Sequence, residues 1–401
     1  MGNTIMQVGT GPLAFDLAGA RMLAVRRQPT APPIADIPTA VRNALETPLN
    51  FPALRRALTP DDHVAIVVDE HLPDLPSLLM PLLEHLVQAH ITPDAITLIC
   101  TENAGSHPWV ESLPADFRHV KVEDHDSHNR KKLSYLATTK QGRRVYLNRT
   151  AVDADQLIVV SRRFYDPLLG IGGAEGAIYP ALSDGETQKT LAKKLSMTAP
   201  DDTLWPIQLE AREVAWLLGA PFFVQVIEGP GNELANILGG VIDSSAEGQR
   251  LLNARWRVEV KEPADMVIAE VGGDPSTHSF ADLARALAGA SRVVKPEGKI
   301  VLVSEASPEL GPGAALLRQA DTADDALRLL KEMQPYDLPA AFQWACAAQR
   351  ASLYLLTKLP AGIVEEMLAT PLTQASDVAR LAGKGLCLLI PDADKTLAVI
   401  S

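Results

Sequence analysis

The 401-residue sequence is poor in cysteine and in positive charge, and each shortage excludes a class of protein. The three cysteines, Cys100, Cys346 and Cys387, are far apart and odd in number, so they indicate neither a disulfide framework nor a cysteine metal site. A reducing cytoplasm is therefore the expected compartment. A formal net charge of −12 argues against a nucleic-acid or anionic-membrane partner, because phosphate binding requires a basic surface.

Two further absences narrow the possibilities. No stretch approaches the ~18 consecutive apolar residues of a membrane span, and the N-terminus lacks the charged and apolar regions of a secretory signal. We therefore expect a soluble, unprocessed protein. No G-x-G-x-x-G lies between a strand and a helix with an acid following, so a dinucleotide site is not indicated.

Short β-branched runs alternate with leucines at helical spacing, which predicts an α/β fold. Strands are expected at 63–68, 95–100, 156–160 and 222–227, then at 266–269, 300–303, 353–356 and 386–390. Helices are expected at 76–89, 205–219, 280–292 and 323–333. The length favours two Rossmann-like domains, 1–262 and 263–401, with a ligand cleft between them. The proline-rich segment 28–38 is interpreted as an extended connector.

The loop 165–180 directly follows a predicted buried strand and carries four glycines, three of which are Gly172, Gly173 and Gly176. Glycine adopts positive φ without steric penalty and leaves backbone N–H groups open to a ligand. We therefore predict that this loop lines a cofactor pocket. Asp69 and Glu70 follow the first predicted strand and are further cofactor-binding candidates, although first-turn acids of the next helix would look the same.

Several segments resemble the nickel-dependent lactate racemase family. Residues 133–149 resemble its threonine-glycine hairpin and Asn-Arg, and 68–76 resemble a loop that begins with paired acids and ends in proline. Gly105-Ser-His107 resembles the family's Gly-x-His, and Gln343-Trp344 resembles its Gln-Trp. The closing residues 390–392 are also similar to the family's end.

This resemblance implies a cofactor and a reaction. Family members bind a nickel-pincer nucleotide and racemise or epimerise a 2-hydroxy acid, passing a hydride to the cofactor and returning it to the opposite face. Two histidines alternate as base and acid, a third ligates nickel, and a lysine joins the cofactor covalently. By resemblance, His107 is a proton-transfer residue and Trp344 borders the substrate.

The chain departs from the family at the residues that matter most. Asp166 stands at a histidine position, Gly176 at the position of the cofactor-linking lysine, and no histidine occurs between His128 and His278. We therefore expect any pincer-type cofactor to bind without a covalent lysine link, with Asp166 as the second catalytic residue. Arg285 stands where a family lysine would bind the substrate.

Less specific interpretations remain for these residues. His107 fits a solvated or capping histidine, Trp344 a helix packing residue and Arg285 an exposed helix arginine. Metal-ligand residue types also cluster at 119–128, where irregular spacing favours a solvated loop, and Arg143, Arg144 and Arg149 fit either an anion site or a hairpin surface.

The leading functional hypothesis is an isomerase of a 2-hydroxy acid or a sugar acid. The alternative is a catalytically degenerate family member that binds a nucleotide or an acid without turnover. A third possibility is different chemistry in an inherited cleft.

Overall fold

The computed structural model describes residues 4–8, 11–17, 19–23, 32–101, 105–197 and 206–401. Its strands are β1 (Thr4–Val8), β2 (Gly11–Phe15), β3 (Arg21–Met22), β4 (Val64–Val68), β5 (Ile96–Cys100), β6 (Lys121–Asp124), β7 (Leu133–Thr138), β8 (Arg144–Asn148), β9 (Gln156–Arg162), β10 (Phe164–Asp166), β11 (Gly170–Gly172), β12 (Phe222–Glu228), β13 (Leu234–Gly240), β14 (Arg257–Val260), β15 (Ala264–Glu270), β16 (Val294–Val303), β17 (Ser352–Leu356), β18 (Ala369–Pro371), β19 (Leu386–Ile390) and β20 (Leu397–Ile400). The described α-helices are α1 (Ile37–Glu46), α2 (Leu75–Gln88), α3 (Arg149–Asp153), α4 (Gly185–Ala192), α5 (Pro206–Leu217), α6 (Ser244–Trp256), α7 (Phe280–Ser291), α8 (Pro312–Leu317), α9 (Ala323–Met333), α10 (Leu338–Arg350), α11 (Ala361–Glu366) and α12 (Ala375–Ala382).

The first large sheet has the strand order β13-β12-β9-β4-β5-β6. All its neighbours are parallel except β12 and β13. Every residue of β4 is buried, because helices cover both faces of the sheet. Ile66 packs in a cluster with α1 and α2, whereas Val67 packs on the opposite face in a cluster with α5.

The second large sheet is entirely parallel, with the order β18-β17-β16-β15-β19-β3. One face packs against α7 and α10 and the other against α12 and Phe15. The carboxyl ends of β4 and β9 in the first sheet, and of β15 and β19 in the second, lead into loops that line one shared cavity. Open parallel sheets bind ligands at this end of their strands.

The α/β fold class is confirmed, and each predicted strand and helix overlaps an observed one. The antiparallel pair β7 and β8 forms the hairpin within 133–149. Part of the proposed connector, 28–31, lies outside the described residues, and its last residues differ from expectation because Ile37 and Pro38 begin α1. Proline is tolerated there because the first helical turn needs no N–H at that position.

The division into domains 1–262 and 263–401 stays a prediction. β3 pairs with β19, so an N-terminal segment adds a strand to the second sheet, and β14 pairs with β20. Such pairings join distant parts of the chain and leave no local sequence pattern. Among the described residues, no helix combines the length and apolar character that a bilayer span requires.

Candidate active site

Two adjoining cavities lie at the carboxyl ends of the strands. The glycine-loop cavity, about 440 Å³, is lined by the loop after β9, including Gly172, Gly173 and Gly176, and by α5. The charged cavity, about 450 Å³, lies between the loops of the two large sheets. The two cavities share His71, Arg162, Arg163 and Phe164 as lining residues, so together they form one cleft with two compartments.

The three predicted glycines line the glycine-loop cavity for different reasons. A Cβ on Gly172 would overlap the Phe164 ring, and Gly173 has φ +80° with the Arg162 carbonyl oxygen where its Cβ would lie. The backbone at Gly173 therefore requires glycine, whereas a side chain at Gly172 would require the Phe164 ring to move. A Cβ on Gly176 would meet nothing within 4 Å, so the backbone there does not require glycine.

The glycine-loop cavity carries a charge cluster in which Glu175 and Arg163 are buried and Arg212 is partly exposed. Glu175 lies 3.6 Å from Arg163 and 3.8 Å from Arg212. Two guanidinium groups around one carboxylate leave this wall with an excess positive charge. The arrangement is suited to an anionic group such as a phosphate or a carboxylate.

Asp166 lines the same cavity and also stabilises the turn that follows it. Its Oδ1 accepts hydrogen bonds from the backbone N–H groups of Leu168 at 2.7 Å and Leu169 at 3.0 Å. Burial raises the pKa of Asp166, against the opposing effect of those hydrogen bonds and of Arg285. A raised pKa makes this carboxylate a stronger base than an exposed one.

Asp69 forms a buried ion pair where the two compartments meet. Its Oδ2 lies 2.9 Å from Nε of Arg162 and also accepts from the Arg162 backbone N–H. Burial opposes ionisation of Asp69, but the charges of Arg162 and His71 outweigh it and hold the pKa below its usual value. Asp69 thus fixes the arginine that lines both cavities.

His107 is held between two carboxylates. Its Nδ1 lies 2.7 Å from Glu70 and its Nε2 lies 3.0 Å from Asp124. Glu70 also accepts a hydrogen bond from the Trp109 indole and lines the charged cavity, whereas His107 lines neither compartment. Together with Cys100, Glu70 and His107 form the one group in the described part of the chain whose ligand atoms are close enough to hold a metal ion.

Arg285 lines the charged cavity and donates to Asp282 at 3.0 Å. Its guanidinium lies 5.2 Å from the centre of the Phe164 ring, and that of Arg162 lies 5.1 Å from the same ring. Phe164 therefore lies within cation–π distance of both arginines at the junction of the compartments. Asp282 caps α7, and although burial opposes its ionisation, Arg285 and Arg162 lower its pKa to about 2.

The structure places Trp344 away from the cleft. The side chain is fully buried, its indole donates to the Met367 carbonyl at 2.7 Å, and its ring packs against Phe280. It lines neither compartment, because the face of α10 that carries it packs on α7. We therefore leave Trp344 out of the proposed site.

The other candidates from the sequence separate in the fold. His125 contacts the Ser183 carbonyl and Arg143 pairs with Glu210, so neither lines the cleft, whereas Asp124 of the 119–128 cluster lies 3.0 Å from His107. His278, Asp394 and Lys395 line the charged cavity and were not predicted. No local pattern marks them, since they follow strands of the second sheet and reach the cleft only through its packing.

The fold and the cleft define an α/β protein with a two-compartment small-molecule site at the carboxyl ends of its parallel strands. The family described as "Lactate racemase N-terminal domain" matches residues 8–198. The chain is 22% identical over 323 residues to a lactate racemase of Thermoanaerobacterium thermosaccharolyticum, covering 76% of this chain and 75% of that protein.

Solved structures agree with this match at the level of the fold. The lactate racemase apoprotein from Thermoanaerobacterium thermosaccharolyticum superimposes with a TM-score of 0.81 at 17% identity, covering 99% of this chain and all of that one. A Thermotoga maritima protein superimposes with a TM-score of 0.65 at 12% identity, covering 93% of this chain and all of that one. Residues 8–198 therefore match the lactate racemase N-terminal domain, and the chain as a whole is similar to a lactate racemase in sequence and in fold.

Proposed function

We propose that this protein racemises or epimerises a 2-hydroxy acid or a sugar acid. The observation that carries the proposal is the pair of adjoining cavities that share Arg162 and Phe164. Such a pair accommodates a cofactor and a substrate side by side, as the family's hydride-transfer reaction requires. The charged cavity has ample room for a six-carbon sugar acid.

The glycine-loop cavity is the proposed site of a nickel-pincer-type mononucleotide. Its size and the Arg163–Glu175–Arg212 cluster fit a nucleotide phosphate. Gly176 supplies no side chain for a covalent link, and the free space beside it fits a cofactor held without one. When bound, this cofactor would supply the hydride acceptor. The Glu70, Cys100 and His107 group lies beside the charged cavity, so we assign no nickel ligand in the glycine-loop cavity.

The residues of the cleft have distinct proposed roles. Arg285 and Arg162 would hold the substrate carboxylate, and Asp69 would position Arg162. His107 would exchange protons with a ligand in the charged cavity through Glu70, because Glu70 contacts His107 and itself lines that cavity. Asp166, with its raised pKa, would act as a second proton acceptor from the glycine-loop side.

The test is coexpression of the chain with a complete pincer-nucleotide pathway, followed by nickel analysis and chiral assay of L-lactate, L-malate and D-gluconate. We expect nickel near one per chain and isomerisation of at least one acid. His107→Ala and Asp166→Asn should each lower turnover 10²-fold or more, whereas exposed His63→Gln should not. A nickel-loaded chain that isomerises none of these acids would contradict the proposal.

A noncatalytic binding function is the second candidate. It is favoured by Gly176 and by Asp166, which replace the family's lysine and histidine. Calorimetric binding of a pyridine mononucleotide or of a hydroxy acid by a chain without nickel and without turnover would support it.

A further inference from the structure

We propose that the C-terminal wall of the charged cavity supplies two groups that contact the bound acid: His278 accepts the hydroxyl proton, and protonated Asp394 donates to the carboxylate. The inference rests on the proposed function and names the groups that recognise its substrate. The resemblance to the family assigns no role to either residue. Both line the charged cavity.

The hydrogen bonding of His278 fixes its tautomer. Its Nε2 lies 3.0 Å from the carbonyl oxygen of Gly272, and a carbonyl can only accept, so Nε2 carries the proton. The lone pair of the neutral ring is then on Nδ1, which is buried and has no hydrogen-bond partner among the described residues. Nδ1 is therefore the atom that can take a proton from a ligand hydroxyl.

The surroundings of His278 keep the ring neutral. Burial lowers its pKa, outweighing the carboxylates of Asp282 and Asp274, and Lys395 adds to the lowering. A neutral imidazole is the form that acts as a base. When Nδ1 takes the hydroxyl proton, the ring becomes imidazolium and the electron pair stays on the ligand oxygen; the reverse step restores both groups.

The surroundings of Asp394 favour its protonated form, whereas those of His278 favour the unprotonated form. The side chain is 7% exposed, and its Oδ1 has no hydrogen-bond partner in the described part of the chain. Burial raises its pKa to about 7; Asp282 and Asp392 add to the rise, and Lys395 and Arg285 oppose it. A carboxyl group that keeps its proton near neutral pH can donate to a ligand carboxylate.

These two residues differ from other buried polar groups in the fold. An unpaired buried polar atom costs about 1–3 kcal/mol, so its persistence needs a reason. Several carboxyl and imidazole groups among the described residues have such an atom, including His85, His125 and Glu270. Of these groups, only His278 and Asp394 line the charged cavity. In the proposed complex, the ligand hydroxyl would pair with Nδ1 of His278 and the ligand carboxylate with Asp394.

The first experiment measures binding by calorimetry, using the full chain isolated from the coexpression strain. The probes are D-gluconate and 2-deoxy-D-gluconate, which lacks the hydroxyl that Nδ1 would contact. His278→Gln is the informative variant, because a glutamine amide can still donate to the Gly272 carbonyl. This variant should bind D-gluconate about 10-fold more weakly, which is a loss of about 1.4 kcal/mol of binding free energy. Its affinity for the deoxy acid should be unchanged. Exposed His63→Gln is the matched control.

Asp394 is tested through protons taken up on binding. At pH 8 the free carboxyl is mostly ionised, so binding an acid that requires its protonated form takes up close to one proton per chain. Calorimetry in buffers of different ionisation enthalpy measures this number. Asp394→Asn should abolish the uptake and retain binding, whereas exposed Asp61→Asn should change neither.

Several results would overturn the inference. One is an equal loss of affinity for both acids in His278→Gln. Another is proton uptake that persists in Asp394→Asn, and a third is no binding of either acid by the unsubstituted chain. Histidine ¹⁵N spectra add a check that needs no variant, since a proton on Nδ1 of His278 would contradict the assigned tautomer. Failure of the proposed function looks different: the acids bind with these signatures, but the nickel-loaded chain does not isomerise them.

Discussion

The packing of the glycine loop makes opposite predictions for two of its glycines. Gly173 has φ +80° and ψ −175°, a region open almost only to glycine, and its Cβ would overlap the Arg162 carbonyl oxygen. The strained backbone costs about 1–3 kcal/mol and relief of the overlap a similar amount, so Gly173→Ala should lower the free energy of unfolding by about 2–6 kcal/mol. Gly176 lies in a 3-10 turn with open space around it, and Gly176→Ala should be neutral or stabilising by up to about 1 kcal/mol.

Urea unfolding followed by tryptophan fluorescence measures both variants against the unsubstituted chain. The two substitutions are chemically identical and three residues apart. A difference between the free energies of unfolding of the two variants therefore reports the local backbone geometry and packing. Equal stability of the two variants would refute the packing described for the loop. Gly176→Ala should also narrow the glycine-loop cavity, and it should weaken a bound mononucleotide without loss of stability.

Three further predictions concern the core and the cleft. Trp344→Ala should destabilise the chain by about 3–5 kcal/mol in thermal unfolding, since the ring is fully buried, and a variant of near-normal stability would contradict this packing. Asp69→Asn should lower the free energy of unfolding by about 3–5 kcal/mol, because it removes the negative partner of the buried Arg162. Glu366→Gln, in the exposed pair with Arg318, should lower it by less than about 1 kcal/mol. Equal losses in the two variants would contradict the buried pair. Because the folded-state pKa of Asp394 is raised to about 7, its contribution to stability is full below about pH 4 and is lost as the pH rises to 7. Asp394→Asn should therefore gain stability relative to the unsubstituted chain between pH 5 and pH 8, and parallel pH profiles of the two proteins would refute the shift.

The strands and the glycine loop could be predicted because their signals are local. The run 64–68 is apolar at every position, which indicates burial on both faces, and β4 has that burial. Gly172 and Gly173 were predicted to line a cofactor pocket; they line a cavity, and the atoms that lie close to them are those of Phe164 and Arg162. Gly176 belongs to the same glycine-rich segment, but its surroundings do not require glycine. The sequence shows the residue type and not the space around it, so it could not distinguish Gly176 from the other two.

Most of the candidate site that could be predicted lies on the side of the first sheet, with Arg285 as the predicted cleft residue on the other side. Asp69, Glu70 and Asp166 follow strands whose ends are visible in the sequence, and all three line the cleft. His107 was predicted from resemblance, but its separation from the cavity by Glu70 depends on a contact across 37 residues. Trp344 was assigned to the substrate by the same resemblance, and its burial against α7 depends on helix packing.

By itself, the sequence determined the α/β class, the resemblance to lactate racemases and the presence of glycine at position 176, because these depend on residue types and on patterns a few residues long. Tertiary structure alone decided that β3 joins the second sheet, that Arg162 and Phe164 join two cavities, and that His278 and Asp394 face the same cavity as Arg285. The physical reason is that burial, ion pairing and unpaired polar atoms depend on distances between residues far apart in the chain. Periodicity and composition carry no information about those distances.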